Sequence, residues 1–303
     1  MTECRSWVSA GVGLRMISAA LVFGLIGCGT EAEPAPEEVA PEEPEVDFIQ
    51  EAVWSPRSDR LLATWDQGGR YRLFGIIAPD TAASAYEPSA GLRLSDGPDT
   101  FGSWAPDGLW IAFGSTRDGQ GEIYRMRPDG TGTERLTDDP GEDTEPAYSP
   151  DGAQIAFISD RTDGSPRLHI MNADGTDVRM VGSPPGSAHH GPEWSPDGRR
   201  ITLSVTMEDG EFVHLTSPVG GWGRVRRGSM PSWHPDSDQI FFSLRDTVYV
   251  VRTSVNSRRP VTPGFAPRPA PNGRWLAFVR GEFPLSVLWA MNMETGEEQR
   301  ITR

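Results

Sequence analysis

The 303-residue chain has 28 basic and 43 acidic side chains, a formal charge of −15, and only two cysteines. No basic run exceeds two residues, which argues against nucleic-acid binding because that function needs clustered Lys and Arg. Two cysteines cannot form a disulfide framework. The 34 glycines and 27 prolines favour turns over long helices.

The first 27 residues are predicted to be a signal peptide. Arg5 and Arg15 precede an uncharged run, residues 16–27, which is too short to span a bilayer permanently. The run ends in Leu25-Ile26-Gly27-Cys28, which resembles the lipobox of bacterial lipoproteins. The resemblance implies that Cys28 is acylated and anchors the chain in a membrane, although Ile26 is bulkier than the residue commonest there. The alternative is an ordinary secretory signal in which the cysteine occurs by chance.

Residues 28–47 are predicted to be a tether between the anchor and the fold. Residues 31–47 contain eight acids, no base and several prolines, so this stretch buries no apolar surface and repels itself into an extended, disordered chain. Gly29, rather than Asp, follows the predicted anchor. By resemblance to enterobacterial lipoprotein sorting, this favours the outer membrane, facing the periplasm.

From residue 48 onward the sequence repeats a unit of small-Pro-x-aromatic-Ser-Pro-Asp-Gly followed by short apolar strands. The aromatic position recurs at Trp54, Trp104, Tyr148, Trp194 and Trp233, and Pro269 occupies it in the last unit. Each unit is long enough for four strands. Asp-Gly and Asn-Gly supply tight turns, and the aromatic residue packs between neighbouring sheets. Residues 48–303 are therefore predicted to form an all-β, six-bladed propeller of four-stranded antiparallel blades.

The repeated Trp-Ser-Pro-Asp-Gly, Ile-Ala-Phe, Ile-Tyr and Leu-Thr elements resemble the TolB-type, WD-like propeller repeat. The resemblance covers almost all of residues 48–303. It is specific for the fold and weak for function, because relatives include protein-binding periplasmic propellers, the propeller caps of prolyl oligopeptidases and oligogalacturonate lyases.

The sequence contains none of the nucleophile-elbow, zinc-protease, paired-cysteine or phosphate-loop motifs. His189 and His190 lie in the connection between blades three and four, with Glu193 nearby. Imidazole and carboxylate suit a divalent metal, but no third histidine is apparent, so a solvated loop is favoured and no metal or cofactor is predicted. The acidic cluster at residues 138–145 could supply oxygen ligands to calcium, yet it lacks the spacing of a calcium loop.

Charged residues are predicted to divide the channel mouth into two sides. The acidic side consists of loop residues in blades two and three: Asp96, Asp99, Glu142, Asp143, Glu145 and Asp160. The basic side lies in blades four to six: Arg224, Arg226, Arg227, Arg245, Arg268 and Arg280. Such a mouth would orient a polar partner; the alternative is that these charges only solvate loops.

Three functions remain open on this sequence, one of which is a purely structural envelope component. The leading hypothesis is a monomeric, membrane-tethered binding module whose channel mouth holds a protein, peptide or envelope glycan. Its partner-binding residues would be His189, His190, Glu193, Glu142, Asp143, Glu145, Arg227 and Arg268. The alternative is a metal-dependent polysaccharide lyase, by resemblance to the oligogalacturonate lyases.

The repeat also makes a prediction about ring closure. Blade one starts at Glu51 in this register, and blade six supplies all four of its own strands. The first and last blades would then meet only by packing. Residues 46–50, which include Phe48 and Ile49, would form a latch against blade six; the alternative is that Phe48 caps the channel floor.

Overall fold

The computed structural model describes residues 47–67, 70–78, 92–182, 187–254, 257–282 and 285–302. The predicted signal peptide, the lipidation site Cys28 and the tether up to residue 46 lie outside these ranges. All regular elements within them are β-strands. A search of these same ranges finds no helix with the length and apolarity needed to cross a membrane.

The described strands follow one another as six sets of four. Blades one to three are formed by β1 (Asp47–Trp54), β2 (Arg60–Gln67), β3 (Tyr71–Ile77) and β4 (Leu92–Arg93); β5 (Asp99–Trp104), β6 (Ile111–Ser115), β7 (Glu122–Met126) and β8 (Glu134–Arg135); and β9 (Asp143–Tyr148), β10 (Gln154–Ser159), β11 (Arg167–Asn172) and β12 (Arg179–Met180). Blades four to six are formed by β13 (Ala188–Trp194), β14 (Ile201–Met207), β15 (Gly210–Ser217) and β16 (Gly220–Arg227); β17 (Ser229–Trp233), β18 (Gln239–Leu244), β19 (Thr247–Arg252) and β20 (Arg258–Pro263); and β21 (Phe265–Pro269), β22 (Trp275–Glu282), β23 (Leu285–Asn292) and β24 (Glu298–Arg300).

Each blade is an antiparallel meander in which consecutive strands pair with one another. Its first strand faces the centre of the ring, and its fourth forms the outer edge. The all-β, six-bladed propeller predicted from the repeat is therefore confirmed. Asp-Gly and Asn-Gly turns join the first two strands of several blades, where the glycine adopts the positive φ that the turn needs, as at Gly108 (φ 72°).

The apolar core is divided into six clusters, one between each pair of adjacent blades. Trp194 belongs to the cluster between blades three and four, where it packs with Ile158 and Leu203. Trp233 packs with Val213 of the preceding blade. A single four-stranded sheet cannot bury both faces, so the recurring aromatic residue stabilises the ring by joining neighbouring sheets.

The inner strands share a β-bulge three residues before the aromatic position. The residue there has positive φ in five blades, namely Phe101, Glu145, Gly191, Met230 and Ala266, with φ between 49° and 57°. In each case the pairing with the second strand shifts register at this point. A bulge of this kind bends the strand and redirects its side chains. The small-Pro part of the repeat thus shapes the surface that faces the channel.

Ring closure differs from the sequence prediction. β1 begins at Asp47 and not at Glu51, because a bulge at Gln50 lets its pairing with β2 continue to Asp47. Asp47 also forms a parallel bridge with Leu285 of β23. The prediction that blades one and six meet only by packing is therefore wrong.

The segment expected to act as a latch does contact blade six, and it forms the N-terminal end of β1. The Ile49 N–H donates to Ser286 Oγ at 2.7 Å, and the Ser286 hydroxyl donates back to the Ile49 carbonyl at 2.9 Å. Ser286 lies on β23, the third strand of blade six. Ile49 is buried in the core cluster shared by the first and last blades.

Candidate functional site

The inner strands enclose a central cavity of about 510 Å³. Its wall near the Ser-Pro-Asp-Gly turns consists of aromatic residues and the prolines that follow them: Trp54, Pro56, Trp104, Pro106, Tyr148, Pro150, Trp194, Pro196, Trp233, Pro235 and Pro271. Every blade contributes to this wall, so the cavity lies on the axis of the ring. Its apolar surface can pack against the aliphatic or aromatic part of a bound group.

Four charged side chains face this cavity, namely Glu51, Glu145, Glu193 and Arg268. They come from the inner strands of blades one, three, four and six. Glu51 and Glu145 stand three residues before the aromatic position of their blades. Glu145 lies in the bulge of its strand, and Glu51 directly follows the bulge at Gln50. Glu193 and Arg268 stand one residue before it. The two positions next to the bulge therefore carry all of the charge on the described cavity wall.

Arg268 is the only cation among the described residues of the wall. Its guanidinium lies 3.0 Å from a Glu51 carboxylate oxygen and 3.9 Å from a Glu193 oxygen. Glu193 also accepts hydrogen bonds from the Ser232 hydroxyl at 3.0 Å and from the Trp233 N–H at 2.8 Å. Arg268 thus pairs with two of the three carboxylates that line the cavity, which leaves an excess of negative charge in a partly enclosed space.

The pKa values of two carboxyl groups reflect this crowding. Burial raises the pKa of Glu51, which Arg268 partly offsets, while Glu145 and Glu193 raise it further. Burial also raises the pKa of Glu193, against the lowering effect of Arg268. Desolvation and like charge both disfavour the ionised form. A cation entering the cavity would relieve both effects, since it would supply the missing opposite charge.

His190 lies beside Glu145, whose side chain lines the cavity. Its Nδ1 is 3.8 Å from a Glu145 oxygen, and its side chain is 45% exposed. Hydrogen bonding to the Glu145 carboxylate raises the pKa of His190. The second Glu145 oxygen accepts the N–H of Gly191. The structure therefore brings together four of the predicted binding residues, His190, Glu193, Glu145 and Arg268.

His189 has a different environment from its neighbour. It is fully buried, its Nδ1 accepts the Leu168 N–H at 3.1 Å, and its Nε2 lies 3.1 Å from the Ser187 hydroxyl. Its ring packs against Trp222 with centroids 4.8 Å apart. Burial lowers the pKa of His189 to about 3. Side chains alternate along a strand, so His189 points into the blade and not towards the cavity.

Glu142 and Asp143 serve the packing of blades two and three. A Glu142 oxygen accepts the Gly121 N–H at 2.9 Å. Asp143 is fully buried and paired with Arg161, and Asp99 forms the equivalent pair with Arg117 at 2.8 Å in blade two. A carboxylate in this position holds an Arg from the loop after the second strand of its blade. Neither Glu142 nor Asp143 lines the central cavity.

Arg227 also lies away from the cavity, on β16 at the outer edge of blade four. Its guanidinium contacts the Asp209 carbonyl and lies 5.2 Å from the centre of the Phe212 ring. Arg224 lies on the same outer strand, and Arg280 pairs with Glu298 of the outer strand of blade six at 2.8 Å. Of the twelve residues predicted to divide the mouth, only Glu145 and Arg268 line the cavity. The predicted basic side does not form there because most of its arginines lie towards the outer edges of blades.

Glu51 is the cavity residue that the sequence analysis missed. The repeat is degraded in blade one, where Ala52 stands in place of the proline that follows the bulge position in blades three to six. Aligning the units on their aromatic residue would have placed Glu51 level with Glu145, three residues before Trp54 and Tyr148. The same alignment would have separated the cavity-facing positions from the loop acids.

A group of three or more His, Cys, Asp or Glu side chains arranged to hold a metal ion is not found in the part of the chain that the structure describes. His189 contributes to no such group because both of its ring nitrogens already face Leu168 and Ser187. The described cavity therefore offers carboxylates, with the His190 imidazole beside one of them, and not the histidine-rich set that the lyase hypothesis requires.

Comparison with known proteins identifies the class. The family described as the TolB beta propeller domain matches residues 94–258, and the chain belongs to this family. An uncharacterized protein from Agrobacterium fabrum is 38% identical over 155 residues, which is 48% of this chain and 50% of the relative. The chain thus aligns with only about half the length of that relative.

Solved structures agree on the architecture. TolB from Acinetobacter baumannii superposes with a TM-score of 0.61 at 22% identity, covering 73% of this chain and 57% of that one. An oligogalacturonate lyase in complex with manganese superposes with a TM-score of 0.56 at 14% identity, covering 86% of this chain and 78% of the lyase. At these identities the likeness establishes the propeller fold.

Proposed function

We propose that this protein is an envelope binding module that captures a cationic group of a protein or peptide partner in its central cavity. The observation that carries the proposal is the excess charge, since the described wall holds three carboxylates, Glu51, Glu145 and Glu193, and one guanidinium, Arg268. Arg268 pairs with Glu51 and Glu193, and Glu145 has only His190 beside it. The cavity suits one or a few side chains. Its aromatic and proline wall supplies apolar contact, and its carboxylates supply charge-assisted hydrogen bonds.

This charge distribution favours peptides over acidic glycans. A uronic-acid polymer would bring further carboxylates towards three glutamates, which Coulomb repulsion disfavours at short range. A lysine or arginine side chain would place its cation between Glu145 and Glu193 and its methylenes against the tryptophans. Membership of the TolB family is consistent with a binding role. The lyase in complex with manganese shares the fold, and its activity would require a metal site in this chain.

The proposal includes anchoring at a membrane through acylated Cys28, with residues 29–46 as a spacer and the outer membrane facing the periplasm as the location. Cys28 precedes the first described strand by a highly acidic, proline-rich stretch. A chain of this composition separates an anchor from a fold without burying surface.

Tryptophan fluorescence provides a direct test, because Trp54, Trp104 and Trp194 line the cavity. Titration with trilysine should change the emission saturably, whereas triglutamate should not. Glu193→Gln keeps the shape of the side chain and should weaken trilysine binding about tenfold, the effect of losing roughly 1.4 kcal/mol of charge interaction. Glu134→Gln is the matched control, because Glu134 lies on the outer strand β8, away from the cavity, and pairs with Arg125 of β7.

Equal binding of both peptides, or no effect of Glu193→Gln, would contradict the proposal. Metal analysis of the purified protein addresses the alternative separately. Stoichiometric manganese, calcium or zinc, together with cleavage of a uronic-acid polymer, would favour the lyase.

A further inference from the structure

The outer strand of blade four differs from the outer strands of the other blades. β16 has eight residues, whereas β4, β8 and β12 have two each and β24 has three. β20 has six, but Pro260 and Pro263 lie within it and supply no backbone N–H. β16 contains no proline and ends its sheet in the order β13-β14-β15-β16. Among the described strands it is therefore the longest edge with uninterrupted backbone donors.

Glycines open this edge to close approach by another chain. Gly220 and Gly221 have φ of +103° and +92° and are the first two residues of the strand. Gly223 does not have positive φ, and a Cβ built on it would meet no atom within 4 Å. Neither conformation nor described packing requires glycine at 223. A glycine inside a strand weakens it, and one reason to retain it is the close approach of a ligand or another backbone.

The same edge carries a cluster of positive charge: Arg224, Arg226 and Arg227. Arg224 lies 3.8 Å from the centre of the Phe212 ring and 3.3 Å from Asp209. Arg227 lies 5.2 Å from the centre of the same ring. The aromatic ring holds two of the three guanidinium groups beside the strand, where they can meet a partner that pairs along it.

Charge and bulges on an edge strand normally prevent unwanted pairing. Both occur here, because the register between β15 and β16 shifts twice. The arginines repel a basic strand. A neutral strand would have to pair along an irregular edge with no charge attraction to compensate for the lost hydrogen bonds. An acidic strand supplies the opposite charge, so the same features select for it.

We propose that the outer edge of β16 binds an extended, acidic segment of a partner protein by strand addition. This goes beyond the central cavity, because β16 lies at the periphery of the ring and none of its residues lines that cavity. Backbone hydrogen bonds supply the affinity, and the arginines select acidic side chains. The protein's own tether is acidic, but its prolines remove N–H donors at Pro34, Pro36, Pro41 and Pro44, so the tether does not fit this role.

Two acidic probes separate strand addition from simple charge attraction. The first is a capped peptide, as long as β16, in which Glu alternates with Thr and no proline occurs. The second is the capped peptide of residues 31–46, which is acidic and proline-rich. Each is added to the full chain, and amide hydrogen exchange is followed across the ring. We expect the first peptide to slow exchange in β16 by about tenfold or more and the second to leave it unchanged.

Two variants locate the site. Arg226→Glu combined with Arg227→Glu should abolish the protection of β16. Arg258→Glu combined with Arg259→Glu makes the same change of charge on the proline-containing edge β20 and should leave the protection of β16 intact. Glu193→Gln should also leave it intact, which separates this result from the cavity. Protection by both peptides, protection elsewhere, or none at all would overturn the proposal; a melting curve of each variant establishes that it remains folded.

Discussion

Replacing Trp194 by alanine should destabilise the propeller severely. Trp194 is 7% exposed and packs in the cluster between blades three and four. Its indole N–H donates to the Ala147 carbonyl at 3.1 Å. Truncating a buried aromatic residue to alanine costs about 3–5 kcal/mol, and leaving the buried carbonyl without its donor adds about 1 kcal/mol or more. We therefore expect the free energy of unfolding to fall by about 4–6 kcal/mol.

Trp222 provides the matched comparison within the same pair of blades. It is half-buried on the outer strand β16 and contacts the same apolar cluster from its edge. Trp222→Ala should therefore cost less than half as much. Urea denaturation followed by circular dichroism measures the stability of both variants. If the free energy of unfolding falls with urea concentration at the same slope in each variant, only the stability has changed. If the two substitutions cost the same small amount, the repeated aromatic residue would not be what joins the blades.

The remaining predictions concern pH, ring closure and anchoring. The pKa of His189 is about 3 in the fold against 6.5 for the exposed group, so the unfolded chain binds more protons between these values. Stability should then decrease as pH falls from 6.5 towards 3, by up to about 1.4 kcal/mol per pH unit, and His189→Gln should flatten this dependence in urea titrations at several pH values. Ser286→Ala removes both hydrogen bonds to Ile49 and should cost about 1–3 kcal/mol, with faster amide exchange in β1 and β23 than in β9 and β10; uniform exchange around the ring would show that closure does not depend on this contact. Cys28→Ser should release the folded protein into the soluble fraction after a salt wash, and retention with membranes would exclude acylation as the anchor.

The fold could be predicted from the sequence because its information is local and repeated. Most units contain their own turn, strands and packing aromatic residue, as in Trp194-Ser195-Pro196-Asp197-Gly198. A unit whose sequence is degraded can still be assigned by aligning it with the other units. Ring closure was predicted wrongly because it depends on one pairing between residues far apart in sequence, Asp47 with Leu285, and no repeat reports such a contact.

The site was predicted in part for a related reason. Glu145, Glu193 and Arg268 were identified as charged residues near the channel, and the structure brings them to one cavity. His189 and Asp143 were grouped with them because both were predicted to lie in loops at the channel mouth. Alternation along the strand turns His189 inward, and Asp143 is buried against Arg161. Side-chain direction near a bulge is set by backbone geometry, which composition does not reveal.

The most direct test of the central claim is the pH dependence of trilysine binding to the cavity, measured by calorimetry. Burial raises the pKa of Glu51 and of Glu193, so these groups become protonated as pH falls and lose their attraction for a cation. The affinity should therefore be highest near neutral pH and decrease through the acidic range. Glu51→Gln combined with Glu193→Gln should weaken binding at neutral pH and remove most of this decrease. An affinity that is independent of pH, or unchanged in the double variant, would contradict a cation-binding cavity.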